Sequence, residues 1–268
     1  MRRNQVRSTR LLISAGAVIL ALAAAGCSTM PSADVTGSIA TDNKPRTEAE
    51  WRREMSVWAQ RYRANPRDAE AAIHYAQALR GIGQRAQAAA VLEQATIQHP
   101  HDQAVLGAYG RALADNGNYA RALEVLNRAH SPDQPDWRIL SVQGTALDQL
   151  GRHDEAQRYY ASALRLVPEE PTVLSNLGLS YALSKNLPQA EDTLRRAATQ
   201  KPADPKIRQN LALVIGLQGR FAEAEKIVRA DLSPEEAAQN VAFLRRMLAQ
   251  QNDLKKLSRP GAPLAPSS

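Results

Sequence analysis

The fold is decided by the stretch Trp137-Arg-Ile-Leu-Ser-Val-Gln-Gly144-Thr-Ala-Leu-Asp-Gln-Leu-Gly151-Arg-His-Asp-Glu-Ala156-Gln-Arg-Tyr-Tyr-Ala-Ser-Ala163. Apolar residues on both sides of Gly151 follow a helical period, and glycine permits the positive φ with which many helices end. Gly144 and Ala156 are residues of minimal size, twelve apart, and such residues suit the place where two helices approach most closely. The stretch therefore predicts two short helices joined by a tight turn.

This helix–turn–helix pattern recurs every 34 residues. The position of Ala156 holds alanine in five units, and the position of Gly144 holds alanine or glycine. The position of Ala163 holds alanine four times before Asp231 interrupts the series. The three series are Ala88, Ala122, Ala156, Ala190 and Ala224; Ala76, Gly110, Gly144, Gly178 and Ala212; and Ala95, Ala129, Ala163 and Ala197. A period of 34 resembles the tetratricopeptide repeat, whose units stack into a solenoid.

We therefore expect an all-α solenoid of about five tetratricopeptide repeats with a capping helix at each end. The expected repeats are 69–102, 103–136, 137–170, 171–204 and 205–232, within a repeat region of 67–232. The first capping helix, over 47–66, begins with the capping box Thr47-x-x-Glu50. A closing helix over 233–250 begins with Ser233-Pro-Glu-Glu, and the polar remainder, 251–268, is predicted to be disordered.

Residues 1–26 have the features of a lipoprotein signal peptide. Four arginines precede an uncharged stretch of 16 residues, from Leu11 to Gly26, that ends in small residues. A membrane span needs about 20 apolar residues, so we expect this segment to be removed. Four of the seven net positive charges leave with it, and the remaining formal charge is +3. Residues 27–46 are polar and predict a flexible tether.

Cys27 is the only cysteine, so no internal disulfide can form. Its place after Ala24-Ala-Gly resembles a bacterial lipobox, although Ala24 stands where leucine is usual. The resemblance implies cleavage before Cys27 and its acylation, so the expected membrane contact is a lipid anchor alone. Ordinary signal-peptidase cleavage after Ala25 is the alternative. Ser28, rather than aspartate, follows the cysteine, which by analogy favours the outer membrane with the protein facing the periplasm.

The sequence shows no pattern of a catalytic, metal or cofactor site. It contains no HExxH, CxxC, GxSxG or glycine-rich phosphate loop. His99 and His101 flank Pro100 at a junction between units and are interpreted as loop residues. The modest charge, without a lysine cluster, does not favour nucleic acid as a partner. We expect neither an enzyme nor a small-molecule substrate nor a cofactor, and look for function in the binding of proteins.

Partner-binding residues are expected on the first helix of each unit, which lines the inner surface of a tetratricopeptide solenoid. Positions 2, 5, 6, 9, 12 and 13, counted from the start of each unit, point inward. In the second and third units they include the polar residues Arg111, Asp115, Arg138 and Asp148. In the fourth and fifth units they include Asn176, Leu179, Leu183, Asn210, Leu213 and Leu217. We therefore expect a groove with a polar N-terminal half and an apolar C-terminal half.

Asn176 and Asn210 share position 6 of their units. An asparagine amide offers one acceptor and two donors, so it can pair with both polar groups of a passing peptide backbone. In several peptide-binding tetratricopeptide proteins asparagine at this position does so, and the resemblance applies to these two residues alone. The four leucines could hold apolar side chains of the same segment, or they could pack against the closing helix. The sequence leaves both interpretations open.

Two segments resemble the TadD family of tight-adherence (Flp) pilus proteins. They are Asn210-Leu-Ala-Leu-Val-Ile-Gly-Leu-Gln-Gly-Arg-Phe-Ala-Glu-Ala-Glu-Lys226 and Ala230-Asp-Leu-Ser-Pro-Glu-Glu-Ala-Ala-Gln-Asn-Val-Ala-Phe-Leu-Arg-Arg-Met-Leu248. The signal, the tether and the five repeats agree with that family's layout. The resemblance implies an outer-membrane lipoprotein that assembles the pilus machinery by supporting its secretin. A general envelope adaptor for peptidoglycan enzymes or for outer-membrane protein insertion is the alternative.

Overall fold

The computed structural model describes residues 46–200 and 204–257, and within these ranges it contains twelve α-helices and no β-strand. The helices are α1 (Glu48–Ala64), α2 (Ala69–Gly81), α3 (Arg85–Gln98), α4 (Gln103–Asp115), α5 (Tyr119–Leu126), α6 (Trp137–Gln149), α7 (His153–Leu166), α8 (Pro171–Leu183), α9 (Leu187–Thr199), α10 (Pro205–Leu217), α11 (Phe221–Val228) and α12 (Pro234–Leu257). Three predicted features lie outside the described residues: the signal peptide 1–26, the predicted lipidation site Cys27 and the predicted tether up to residue 45. No helix in the described ranges is both long enough and apolar enough to cross a membrane.

The helices form a stack of paired helices. The first helices of the five units are α2, α4, α6, α8 and α10, and the second helices are α3, α5, α7, α9 and α11. Each first helix packs against the second helix of its own unit, and each second helix packs against the first helix of the next. First helices of successive units also contact one another, so together they form one surface, here called the first-helix wall. The predicted all-α tetratricopeptide solenoid is confirmed.

An acidic side chain caps the N-terminus of every first helix. These residues are Asp68, Asp102, Asp136, Glu170 and Asp204, and the side chain of each accepts a hydrogen bond from a backbone N–H in the first turn. A carboxylate at this place satisfies a backbone donor that has no partner within the helix and interacts favourably with the helix dipole. The acidic caps therefore recur with the 34-residue period and help to set where each unit starts.

The small residues of the repeat lie where its helices approach most closely. The series from Ala88 to Ala224 is between 0% and 1% exposed. A Cβ atom added to Gly144 would lie 2.6 Å from the ring of Tyr160, which is closer than carbon atoms pack. At the equivalent place, a Cβ on Gly178 would lie 2.6 Å from Leu194. Small size at these positions is therefore required by packing, as the sequence pattern predicts.

Helix α1 covers the first repeat with its aromatic side chains. The ring of Trp58 stacks on His74 at 4.3 Å between centroids, and the ring of Tyr62 lies 5.7 Å from that of Tyr75. Trp51 lies directly over Gly81 at the end of α2. The aromatic face of α1 thereby shields the first helix of the stack from solvent.

The closing helix α12 is longer than predicted. Ser233 caps the helix as predicted, because its Oγ accepts from the Glu236 N–H at an N···O distance of 3.3 Å. The Glu236 carboxylate in turn accepts from the Ser233 N–H at 3.0 Å. The helix then continues through residues 251–257, which the sequence assigned to a disordered tail. Polarity suggested that assignment, but glutamine, lysine and leucine are good helix formers, and neither glycine nor proline occurs between Pro234 and Pro260. The rest of the predicted tail, 258–268, lies outside the described residues.

The turns between paired helices have one non-glycine exception. Gly83, Gly117, Gly151 and Gly219 have φ between 76° and 83°, whereas Lys185 occupies the same place with φ of 67°. A side chain in this left-handed region costs about 1 kcal/mol, because its Cβ approaches the backbone. The turn of the fourth repeat therefore carries local strain that the equivalent turns of the other four repeats avoid.

Lys185→Gly should raise the free energy of unfolding by about 1 kcal/mol, because it removes this strain. Urea denaturation of the variant and of the unmodified protein measures the change. Gly151→Lys is the matched control, since nothing lies within 4 Å of a Cβ added there, and it should destabilise by a similar amount. A Lys185→Gly protein that is less stable than the parent would contradict this account.

Candidate functional site

The structure places the predicted C-terminal half of the groove on two neighbouring first helices. Helix α8 carries Asn176, and helix α10 carries Asn210. Leu179 and Leu183 follow Asn176 at three and seven residues, and Leu213 and Leu217 follow Asn210 in the same way. Residues at this spacing share one helix face. All six side chains are half-buried, and we call the four leucines the leucine patch.

Each of the two asparagines is hydrogen-bonded to the preceding unit. Asn176 Nδ2 donates to Ser141 Oγ at 3.3 Å, and Asn210 Nδ2 donates to Ser175 Oγ at 3.1 Å. The two partners are equivalent, because Ser141 and Ser175 both occupy position 5 of their units. The hydrogen bonds therefore join α6 to α8 and α8 to α10 across the first-helix wall.

These hydrogen bonds change what the asparagines can offer to a partner. The sequence predicts one acceptor and two donors on each amide, but one N–H is already used within the protein. The Oδ1 acceptor and the second N–H remain, and no hydrogen bond within the described residues uses them. One acceptor and one donor still match the N–H and C=O of a peptide backbone.

The closing helix packs beside the leucine patch, against other residues of α10. The side chain of Leu244 lies directly over Gly216, in the space that a Cβ there would need. Ala237 and Val241 share an apolar core with Val214 and Ile215 of α10. These contacts use the side of α10 that faces the core, whereas the leucine patch stays half-exposed. The arrangement favours the groove interpretation of the leucines over packing against the closing helix.

The two arginines predicted for the polar half lie on α4 and α6. Arg111 and Arg138 are both half-buried. The guanidinium of Arg138 lies 4.5 Å from the ring centroid of Trp137, and its buried Nε has no hydrogen-bond partner among the described residues. Arg80 and Asp115, by contrast, form an ion pair at 2.5 Å between α2 and α4. The polar half thus contains one internally neutralised pair and a half-buried arginine suited to an acidic group.

Asp148, predicted to face the groove, is instead withdrawn into the protein. It is only 7% exposed, and Ser180, His153 and Tyr160 contact its carboxylate at 2.8, 2.9 and 3.1 Å. Burial raises the pKa of Asp148, and the hydrogen bonds from His153, Ser180 and Tyr160 offset part of that rise. Because Ser180 belongs to α8, this carboxylate joins the third and fourth units rather than meeting a partner.

Serines at position 5 are the site residues that sequence reasoning missed. Ser141 and Ser175 are small polar residues, and neither belongs to a recognisable motif by itself. The signal in the sequence is that each serine is followed 35 residues later by an asparagine, at position 6 of the next unit. That correlation across one repeat is visible in the sequence once the frame is known.

The described residues contain no candidate metal site. No group of three histidine, cysteine, aspartate or glutamate side chains in these ranges could hold a metal ion. His99 Nε2 lies 2.7 Å from the carbonyl oxygen of Arg67, which gives it a structural contact with the turn that precedes α2. A cleft beside α5 is rimmed by Arg121, which pairs with Glu93 at 2.6 Å, so its charge is balanced internally.

Comparison with known proteins supports the repeat assignment. Two tetratricopeptide repeat models match residues 79–144 and 142–205. No curated protein sequence matches the chain significantly. Together, the two matched segments cover a continuous region from the end of α2 to the start of α10.

Several solved structures share the fold. PilW, described as a widely conserved type IV pilus biogenesis factor, matches with a TM-score of 0.64 and 17% identity over 72% of this chain and 91% of its own. A thermophilic tetratricopeptide repeat protein from Thermus thermophilus matches with a TM-score of 0.56 and 24% identity over 68% and 97%. A chain of the APC/C hetero-tetramer Cut9–Hcn1 matches at 0.61 and 14% identity over 77% of this chain, which spans 40% of that longer protein. At these identities the likeness shows the fold alone.

The raised pKa of Asp148 predicts a specific pH dependence. A buried carboxyl with a raised pKa favours the folded state most when it is protonated, and this contribution is lost as the pH rises through its folded-state pKa. The unfolding free energy of the parent, relative to that of Asp148→Asn, should therefore fall as the pH rises above the ordinary value of 3.8. Urea denaturation at a series of pH values measures this difference.

Asp154→Asn is the control for that series, because Asp154 is exposed on the adjacent helix. The parent and this variant should show nearly parallel stability profiles. If the unfolding free energy of the parent, relative to that of Asp148→Asn, instead stays constant or grows with pH, either result would contradict the view that burial dominates the pKa of Asp148.

Proposed function

We propose that this protein is an outer-membrane lipoprotein, facing the periplasm, that acts as an assembly scaffold for a tight-adherence (Flp) pilus. Its repeats form a protein-interaction solenoid, which is what tetratricopeptide stacks commonly are. The proposed partners are proteins of the pilus machinery, and the secretin is the first candidate. Cys27 supplies the proposed lipid anchor.

The observation that carries the pilus assignment is the sequence resemblance of segments 210–226 and 230–248 to the TadD family. In the structure these segments cover most of α10, α11 and α12, so they include one half of the candidate groove and much of the closing helix. The fold is also shared with PilW, a type IV pilus biogenesis factor. The likeness to PilW supports the tetratricopeptide architecture. The resemblance of the two segments to the TadD family supports a role in pilus assembly.

The groove proposed to bind the partner combines the leucine patch with Asn176 and Asn210. Neighbouring packed helices lie about 8–10 Å apart, and an extended chain rises about 3.3 Å per residue. A segment crossing α8 and α10 would therefore meet the two amides at backbone positions about three residues apart. Apolar side chains between those positions would lie on the leucine patch. Arg138 would receive an acidic group of a longer segment.

Deletion of the gene should abolish surface pili and lower the amount of multimeric secretin, because the machinery loses its scaffold. The unmodified gene should restore both, whereas Cys27→Ala should restore neither and should leave the protein in the soluble envelope fraction. Electron microscopy of pili, immunoblots of secretin multimers and fractionation measure these outcomes.

A membrane-bound Cys27→Ala protein would exclude lipidation as the anchor. Normal pili and normal secretin multimers in the deletion strain would contradict the pilus function itself. If that strain instead showed defects in cell-wall enzymes or in outer-membrane protein insertion, the general envelope adaptor would replace it.

Peptide binding in the groove should weaken when either the two asparagines or part of the leucine patch is removed. Asn176→Ala with Asn210→Ala removes the backbone contacts, and Leu179→Ala with Leu213→Ala removes about half of the leucine patch. We expect each double variant to bind a secretin-derived peptide at least tenfold more weakly, since a lost hydrogen bond or buried apolar group costs about 1 kcal/mol or more. Fluorescence anisotropy with overlapping 15-residue secretin peptides measures affinity.

Leu166→Ala is the control, because Leu166 is 42% exposed at the end of a second helix, away from the groove. It should bind like the parent. Unchanged affinity in a folded Asn176→Ala/Asn210→Ala protein, with circular dichroism and melting temperature near those of the parent, would exclude the groove as the binding site.

A further inference from the structure

Ser141 and Ser175 form a repeated contact with the candidate binding residues. Both serines are buried, with 7% and 5% exposure. Each accepts a hydrogen bond from the asparagine amide of the next unit, at 3.3 and 3.1 Å. The same pair of residue types thus meets in the same geometry twice, in consecutive units of the first-helix wall.

The contact restricts the asparagine side chain rather than the backbone. The amide of asparagine can rotate about two bonds, and fixing such a side chain costs roughly 0.5–1.5 kcal/mol when a ligand must do it. Each serine side chain is buried, so an N–H that donates to its hydroxyl oxygen restricts the direction of the whole planar amide. The remaining acceptor and donor of Asn176 and Asn210 are then held in one orientation before any partner arrives.

The pairing is confined to the part of the wall that carries the leucine patch. Position 5 of the second unit is Gly107 and position 6 of the third is Val142, so no such pair joins α4 to α6. The serine–asparagine pairs join α6 to α8 and α8 to α10. The two oriented amides therefore coincide with the two helices that supply Leu179, Leu183, Leu213 and Leu217.

We infer that Ser141 and Ser175 are positioning residues for peptide binding, each orienting the asparagine of the following unit. This inference rests on the proposed groove. The ligand that it fits is an extended protein segment with a free backbone N–H at two positions about three residues apart, so proline is excluded at both. The serines themselves do not touch the segment.

The first test compares affinity with stability in the full-length protein. Ser141→Ala and Ser175→Ala should each weaken binding of the best secretin-derived 15-residue peptide about three- to tenfold, as expected for one side chain that must now be ordered on binding. Ser180→Ala is the matched control, because Ser180 is an equally buried serine of α8 that bonds across the wall to Asp148 and to neither asparagine. Ser180→Ala should lower the melting temperature and leave affinity unchanged.

A double-variant cycle tests whether each serine acts through its asparagine. In an Asn210→Ala background, Ser175→Ala should change affinity by less than about twofold, because the group it orients is absent. A full three- to tenfold effect of Ser175→Ala in that background would overturn the positioning role. So would unchanged affinity in Ser141→Ala and Ser175→Ala when the asparagine variants do weaken binding.

The second test needs no partner. Side-chain amide order parameters, measured by NMR on the ¹⁵N-labelled full-length protein in detergent, should be high for Asn176 and Asn210. Ser141→Ala should lower the value for Asn176 alone, and Ser175→Ala that for Asn210 alone, with backbone spectra retained. Equally rigid amides in these variants would overturn the inference. If the amides loosen but no secretin peptide binds, the proposed partner fails while the orienting contact stands.

Discussion

The close contact between helices that only alanine or glycine permits is the constraint on which the rest of this protein depends. A 13-residue helix such as α8 is too short to be stable by itself in water, so each unit gains its stability from its neighbours. The series from Ala88 to Ala224 removes bulk wherever the two helices of a unit meet. If larger residues kept these helices apart, the first helices would not form a continuous wall. Residues on successive units could then not reach one another.

Contacts across this wall divide the polar residues into two kinds. Some join neighbouring units through a hydrogen bond or an ion pair, as Asp148 does with Ser180 and Arg80 does with Asp115. Others stay partly exposed and retain capacity for a partner, as Arg138 does. Asp231 is likewise paired within the protein, although its partner lies in the same unit. It interrupts an alanine series, and its carboxylate pairs with Arg208, with Nε and Oδ2 2.6 Å apart.

Asn176 and Asn210 both join units and retain polar groups for a partner, and this connects the architecture with the proposed function. The hydrogen bond that joins each asparagine to the preceding serine is an ordinary inter-repeat contact. The same bond leaves a donor and an acceptor directed by a rigid neighbour. Such an arrangement favours the binding of extended segments, because the asparagine side chains are ordered when the protein folds. Binding then does not have to pay the entropy cost of ordering them. Stability and recognition then use one set of residues.

The sequence by itself determined the helical class, the number of units, their period and the small residues at their contacts. These are local or strictly periodic properties, and each unit repeats the same information. It also indicated Asn176 and Asn210 through their shared position. Only the tertiary structure decided that Ser141 and Ser175 hold those amides, that Asp148 is buried, and that α12 contacts Gly216 beside the leucine patch. Such outcomes depend on how helices from different units rotate and approach, because the groups that meet lie 32 or 35 residues apart in pairs such as Ser180 with Asp148 and Asn176 with Ser141.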